Sequence, residues 1–400
     1  MPISTADCRD ICITHRALTA ISTPLETMCT SSLPSQNTSS LHPPVTINVE
    51  DCGAAYRFLM PILATTPGAW LLTGTERLLQ RPILPLVEVL RGIGADIDRV
   101  EDGWLIHGKT FRPVETMCTS SLHRDHPQTS GPNTLSLTID ASQSSQMASA
   151  LVLAAPLLGL RTLRLSTPDI PSLSYLQMTL ACTRDWPVEI PNVSLPDTPI
   201  GALGDWSAAL FWFAYARLHP EHTYSLSPLS LESIQGDSVI YQWFKRLNLS
   251  MACRDDVHIV STPSEHIVST RFHIEITAKP LETMPHLELD VRDNLDTVPV
   301  MAALAALLPA DITFQNVRNL QYKESDRLHA LAEQLMPFAN IEMTENRLRV
   351  IGKGEPIAHG LEFDTRHDHR LAMAFLLFPD AKLNDTDCLT KSYPGLLEQL

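Results

Sequence analysis

Stretches with a helical spacing of apolar residues alternate with short β-rich runs along most of this 400-residue chain, which confines it to the α/β class. Helical spacing marks Ala55–Ala64, after a Cys52-Gly53 turn, and Ile83–Gly94, which stops at Gly92–Gly94. Ser144–Leu158 opens on capping-type serines and runs into Met147, Ala150, Leu151, Leu153 and Ala154. Ser207–Leu218, Val298–Leu308, Ser325–Leu335 and His369–Leu377 read the same way. The β-rich runs between them are Trp70–Leu72, Trp104–His107, Leu135–Ile139, Thr162–Leu165, Phe272–Ile276, Ile312–Phe314 and Leu348–Val350. A chain this long exceeds what one core usually carries, so two domains are expected, with the Pro-rich stretch Pro191–Ile200 as hinge.

Composition narrows the possible ligands. The net charge of −15 argues against a nucleic-acid or membrane-surface partner, since both require a basic field. Any anionic ligand must be held by a local cluster of Arg and Lys. The eight cysteines are scattered without a CxxC pair, and with no secretory leader they read as reduced thiols of a cytoplasmic protein. The longest apolar runs, such as Met301–Leu308, are too short to span a bilayer.

Thr30–Pro44 and Arg124–Asn133 read as surface loops. Glu26–Leu33 and Glu115–Leu122 are the same eight residues, Pro280–Met284 repeats a preceding PLETM, and His258–Thr270 contains HIVST twice. These repeats are too short and irregular for a solenoid and read as surface insertions of unassigned purpose.

Four constellations carry chemistry. Lys323-Glu324-Ser325-Asp326-Arg327 at a helix start can project Lys323, Glu324 and Arg327 together, although a solvated charged face has the same pattern. Asp368-His369-Arg370 precedes an apolar helix, so Arg370 sits where backbone amides also favour anions. The His367-Asp368-His369 run lacks further nearby ligands, so no metal is expected. Ser142–Gln146 combines hydroxyls, an amide and a helix N-terminus, which suits either a phosphate cradle or plain capping. Gly53–Arg57 and Gln80-Arg81-Pro82 each set an arginine beside a turn or helix start.

The order of Gly53…Arg57, Arg81-Pro82, Ser144-Ser145-Gln146, Asp296, Lys323–Arg327, Asp368-His369-Arg370 and Lys391-Ser392-Tyr393-Pro394 resembles the EPSP synthase family across roughly residues 11 to 400. Arg81–Ile97, Gly204–Ala208 and Asn316–Arg327 match it too. The resemblance implies two similar lobes, each an inside-out α/β barrel of three βαβαββ units. Residues 14–201 would form one lobe and 1–13 with 202–400 the other, with the active site in the cleft between them. It implies a cytoplasmic monomer without cofactor or metal that moves the enolpyruvyl group of phosphoenolpyruvate onto the 5-hydroxyl of shikimate 3-phosphate and releases phosphate. Both substrates carry a phosphate and a carboxylate, which suits arginine's two-pronged donor geometry.

By resemblance, Gly53, Arg57, Arg81, Gln146, Arg327, Arg370 and Lys391 bind phosphoenolpyruvate. Arg16, Ser144, Ser145, Gln146, Ser172, Tyr175, Asp296 and Lys323 bind shikimate 3-phosphate. The catalytic set is Asp296, Glu324 and Lys323, with Glu324 protonating carbon 3 and Asp296 accepting the hydroxyl proton. The chain departs from the family's SKSxSNRAL signature, where Ile11 replaces the lysine and Cys12 the following serine, and Ala54 follows Gly53 where the family has threonine. Those changes favour, as an alternative, a weakened or non-catalytic shikimate 3-phosphate binder. The sister enzyme acting on UDP-N-acetylglucosamine is a further alternative, but its loop cysteine is missing from Gly74–Gln80.

Overall fold

The computed structural model describes residues 8–30, 43–110, 135–186, 188–194, 204–261, 266–281 and 283–400. The chain divides into two compact units, one of Asp10–Ile170 with Thr179–Leu195, the other of Met1–Arg9, Pro171–Met178 and Pro196–Leu400.

In the first unit, β1 (Val45–Asn48), β2 (Gly68–Thr73), β3 (Asp96–Val100) and β4 (Gly103–Gly108) form a sheet in the order β1-β2-β4-β3. The β1-β2 pair is parallel, with Val45 opposite Trp70, and the other pairs are antiparallel. Helix α1 (Arg9–Thr30) precedes the sheet, α2 (Gly53–Thr65) connects β1 to β2, and α3 (Glu76–Gln80) with α4 (Leu84–Gly92) lead to β3. A shorter parallel pair, β5 (Leu135–Ile139) and β6 (Leu160–Leu165), encloses α5 (Gln146–Leu153) and α6 (Ala155–Leu158). The single helix expected over Ser144–Leu158 is thus two. Pro156 falls in the first turn of the second, where proline is tolerated, but its ring and missing N–H prevent one continuous helix. Helix α7 (Leu173–Cys182) runs across the division between the units.

The second unit repeats the topology. Here α8 (Trp206–Leu218), β7 (Thr223–Leu226), α9 (Ile240–Arg246), β8 (Leu249–Ser261) and β9 (His266–Ala278) come first. Strands β10 (His286–Asp290), β11 (Asp311–Gln315), β12 (Ala339–Thr344) and β13 (Arg347–Gly352) then pair in the order β10-β11-β13-β12. Helix α10 (Val298–Leu307) and α11 (Arg327–Leu335) are its connections. A βαβαββ sheet is therefore complete once in each unit. Among the described residues the remaining strands form smaller sheets, including β14 (Glu362–Phe363) parallel to β15 (Lys382–Leu383) around α12 (His369–Phe375).

Helices lie inside and strands outside. Helix α10 is apolar on every side and buried from Val298 to Ala306, as a central helix requires. It packs on α8, α11 and α12. Strand β10 alternates exposed and buried residues, with one face on the helices and one in solvent. Helix α2 plays the same buried part in the first unit, packing on α5.

His258–Ser261 of the first HIVST copy and His266–Thr270 of the second lie on the antiparallel strands β8 and β9, where His258 pairs with Ser269 and Ile259 with Val268, while Thr262 lies outside the described residues. Glu115–Leu122 and Arg124–Asn133, and most of Thr30–Pro44 and Pro191–Ile200, lie outside the described residues.

Candidate active site

In the second unit, two sequence motifs meet on one guanidinium. Arg327 opens α11 behind its N-cap Asp326 and is 1% exposed. Its Nε and Nη2 donate to the two oxygens of Asp368, at 2.7 and 3.0 Å. Its Nη1 donates to Asp296 and its Nη2 to Glu324, both at 2.7 Å. Four of the five N–H groups of this arginine thus face carboxylates. Lys323 Nζ lies 2.9 Å from Asp296, and Lys391 Nζ, nearly buried, lies 3.6 Å from Glu324. Lys323, Glu324 and Arg327 converge as expected, but the helix begins only at Arg327. Residues 323–326 precede it because the Asp326 carboxylate takes the cap, accepting from His329 N at 3.2 Å.

Asp368 also caps α12 by accepting from Arg370 N at 2.9 Å, and takes the Ser325 hydroxyl at 2.9 Å. Arg370 is buried. Its Nη1 donates to Ser207 O at 3.3 Å and its Nε has no hydrogen-bond partner. The His367-Asp368-His369 residues go separate ways: exposed His367 to Asp385 at 2.7 Å, Asp368 to Arg327, and His369 into the interior. Among the described residues no three His, Cys, Asp or Glu side chains gather as metal ligands.

Tyr175 and Ser172 belong to the same unit. Ser172 takes a left-handed backbone conformation, φ 55°, and its N–H donates to Arg292 O at 3.0 Å. The Tyr175 hydroxyl lies 3.4 Å from both Ser207 Oγ and Asp237 Oδ2, and 3.5 Å from Gln235 Nε2. Ser207 Oγ also donates to Asp237.

Charge in this cluster is strongly biased. Burial pushes the Asp296 carboxyl up, but Lys323, Arg327 and Arg370 outweigh it and hold the group well below the usual range. Burial and Arg327 oppose each other in the same way at Asp368, and the cation prevails. Asp237 goes the other way: burial, reinforced by Asp296, lifts it to about 6. Burial and the Arg370 charge pull His369 down to about 3. Burial and then Asp237 raise the Tyr175 phenol well above its ordinary value.

In the first unit, Gly53 opens α2, with the Cys52 thiol accepting from Ala55 N at 3.4 Å. Arg57 is 1% exposed. Its Nε and Nη2 donate to Pro82 O at 3.0 and 2.8 Å, and its Nη1 to Gln146 Oε1 at 2.9 Å. A Cβ added to Gly53 would lie 2.6 Å from Arg81 Nη1 and 3.1 Å from Arg57 Nη1, so both guanidinium groups close on this glycine. Gly53, Arg57, Arg81 and Gln146 are therefore one cluster. Ser144 and Ser145 precede α5: the Ser144 hydroxyl accepts from Gln146 N at 3.3 Å, while Ser145 holds the N-cap position without a side-chain cap bond. Arg16 lies on the exposed side of α1, paired with Glu50 at 2.5 Å beside a cavity of about 290 Å³. Ile11 and Cys12 are exposed on the same helix.

Sequence reasoning missed Ser207, Gln235 and Asp237 as partners of Tyr175, and Asp205 as the partner of Gln235. Their only sequence signals were the Gly204–Ala208 stretch and the polar triplet Gln235-Gly236-Asp237 ahead of a helix.

The family profile of EPSP synthase (3-phosphoshikimate 1-carboxyvinyltransferase) matches residues 2–400. A 3-phosphoshikimate 1-carboxyvinyltransferase of Bacteroides fragilis is 30% identical over 372 residues, 88% of this chain and 82% of the relative. One from Methanospirillum hungatei is 27% identical over 372 residues, 88% of this chain and 78% of the relative. The solved EPSP synthase of Acinetobacter baumannii superposes with a TM-score of 0.58 at 19% identity, over 89% of this chain and 78% of that one. The fold is thus the two-lobed, inside-out α/β architecture of such enzymes. With the matched profile spanning nearly every residue, the chain belongs to the EPSP synthase family.

Proposed function

We propose that this chain joins phosphoenolpyruvate to shikimate 3-phosphate, forming an enolpyruvyl ether at the 5-hydroxyl and releasing inorganic phosphate, as a cytoplasmic monomer. The observation that carries this reading is the Asp296–Lys323–Glu324–Arg327–Asp368 network, buried at Arg327 and Asp368 and half-buried at the other three, with buried Arg370 and Lys391 beside it. In an acidic chain, such a concentration of cations suits multiply charged anionic substrates.

In this reading Gly53, Arg57, Arg81, Gln146, Arg327, Arg370 and Lys391 receive the phosphate and carboxylate of phosphoenolpyruvate. Arg16, Ser144, Ser145, Gln146, Ser172, Tyr175, Asp296 and Lys323 receive shikimate 3-phosphate. The 5-hydroxyl oxygen adds to carbon 2 of phosphoenolpyruvate while carbon 3 gains a proton. Loss of a proton from carbon 3 and of phosphate from carbon 2 then gives the product.

Glu324 handles the proton at carbon 3, and Asp296 with Lys323 the hydroxyl. Asp296, held ionised by Lys323, Arg327 and Arg370, is a weak base in the free protein. Substrate anions that draw Lys323 toward themselves loosen that hold and raise its basicity. The protein carboxylates thus keep the cations neutralised until substrate anions compete for them. Phosphate release by the purified chain, dependent on both substrates, tests the proposal; no release above background overturns it.

A further inference from the structure

The triplet Gln235-Gly236-Asp237 precedes α9 and is buried at Gln235 and Asp237. Each member bears on the turn that carries Ser172 and Tyr175. Gln235 Oε1 accepts from Trp206 N at 2.8 Å, while its Nε2 reaches Asp205 at 2.8 Å, Ser207 at 3.0 Å and the Tyr175 hydroxyl at 3.5 Å. Gly236 passes so close to the turn that a Cβ there would lie 2.6 Å from both Ser174 Oγ and Asp293 Oδ2. Asp293 in turn accepts from Ser174 N at 2.9 Å. Asp237 is wholly buried, takes the Ser207 hydroxyl and the Tyr175 hydroxyl on Oδ2, and leaves Oδ1 without a partner.

A buried carboxylate with one unsatisfied oxygen is costly, and hydrophobic packing at that position would be cheaper. A conformational task explains its presence better than stability does. The contacts at the Tyr175 hydroxyl are long, 3.4 to 3.5 Å, but they come from three groups on two segments, Ser207 on α8 and Gln235 with Asp237 in the triplet. Together they fix the direction of the phenol.

We propose that Gln235-Gly236-Asp237 is a positioning element that seats the Ser172–Tyr175 turn and so sets the affinity for shikimate 3-phosphate without touching it. This rests on the reading that Ser172 and Tyr175 bind that substrate. Asp237 is also faced by Asp296, Asp205 and Arg370, so its charge is felt at the phosphoenolpyruvate side as well, but the direct contacts run to Tyr175.

Steady-state kinetics of Asp237→Asn and Gly236→Ala, with phosphate release as readout, test the inference. Each variant should raise KM for shikimate 3-phosphate about tenfold, the equivalent of one good hydrogen bond, while KM for phosphoenolpyruvate moves less than threefold. Combined with Tyr175→Phe, Asp237→Asn should add little further loss, because the two act through one contact. A structural role alone would lower kcat or the melting temperature and leave this split absent. Two soluble variants with unchanged KM for shikimate 3-phosphate, or fully additive losses in the double variant, overturn the positioning role while the native chain's turnover upholds the enzymatic reading. Absence of turnover in the native chain overturns both. Should Asp237→Asn fail to fold, Gly236→Ala and Gln235→Met decide the question by the same split.

Discussion

Arg327 and Asp368 form a bidentate ion pair inside the protein, Nε to Oδ2 at 2.7 Å and Nη2 to Oδ1 at 3.0 Å, with side chains 1% and 0% exposed. The pair links the start of α11 to the start of α12, 41 residues apart in sequence. Asp368 also holds the Arg370 backbone amide, so one carboxylate orients both arginines of this unit's candidate site.

Removing one partner of such a pair leaves a buried charge without its counter-ion. Asp368→Asn should therefore cost about 3–5 kcal/mol of stability, read as a lower urea midpoint. A midpoint within experimental error of the native chain would contradict the pairing.

Arg370 is the arginine of this cluster whose Nε makes no hydrogen bond, and so the best prepared to receive an anion. Arg370→Ala should raise KM for phosphoenolpyruvate by at least roughly 30-fold, as expected for truncating one side of a buried charge pair. An unchanged KM would remove Arg370 from that role.

Gly53 has two guanidinium groups closing on it. In Gly53→Ala the new methyl meets the far end of the Arg81 side chain, which can swing away. The variant should therefore fold with a native melting temperature yet lose roughly 10- to 100-fold in kcat/KM for phosphoenolpyruvate, the scale of an ångström-sized misplacement. Native kinetics would show that Arg81 and Arg57 are not used at this position.

His369 is nearly buried, its Nδ1 makes no hydrogen bond, and it is held neutral down to about 3. An unfolded histidine takes its proton near 6.5. Between those values the unfolded chain binds a proton that the folded one refuses, so stability falls as pH falls through that window, by roughly 5 kcal/mol in total. His369→Gln should flatten the melting temperature between pH 6.5 and pH 4 relative to the native chain. Parallel curves would show that His369 is not the group responsible.

How much of this was legible in the sequence depended on where the physical cause lay. Helix α10 was, since an unbroken apolar run is its own signal. Strands β10 and β12 were not, because their outward faces carry charged residues, His286, Glu288 and Asp290 in one and Glu342 in the other, which break up the apolar pattern. The two-residue strands β14 and β15 are too short to have a period. At the site, the Lys323–Arg327 and Asp368–Arg370 motifs pointed to cation-rich chemistry. That Arg327 is committed to three carboxylates was invisible, because Asp296 and Asp368 approach from 31 and 41 residues away. The Asp237–Tyr175 contact, 62 residues apart and joining two stretches of unremarkable sequence, left no local trace.

Proton NMR of the purified chain with phosphoenolpyruvate and shikimate 3-phosphate in deuterium oxide tests enolpyruvyl transfer most directly. New vinyl signals of the ether should grow as those of phosphoenolpyruvate shrink, with partial deuterium at the vinyl carbon because carbon 3 is protonated and deprotonated in turn. Phosphoenolpyruvate that persists unchanged, or vanishes without an enolpyruvyl ether appearing, would contradict the account.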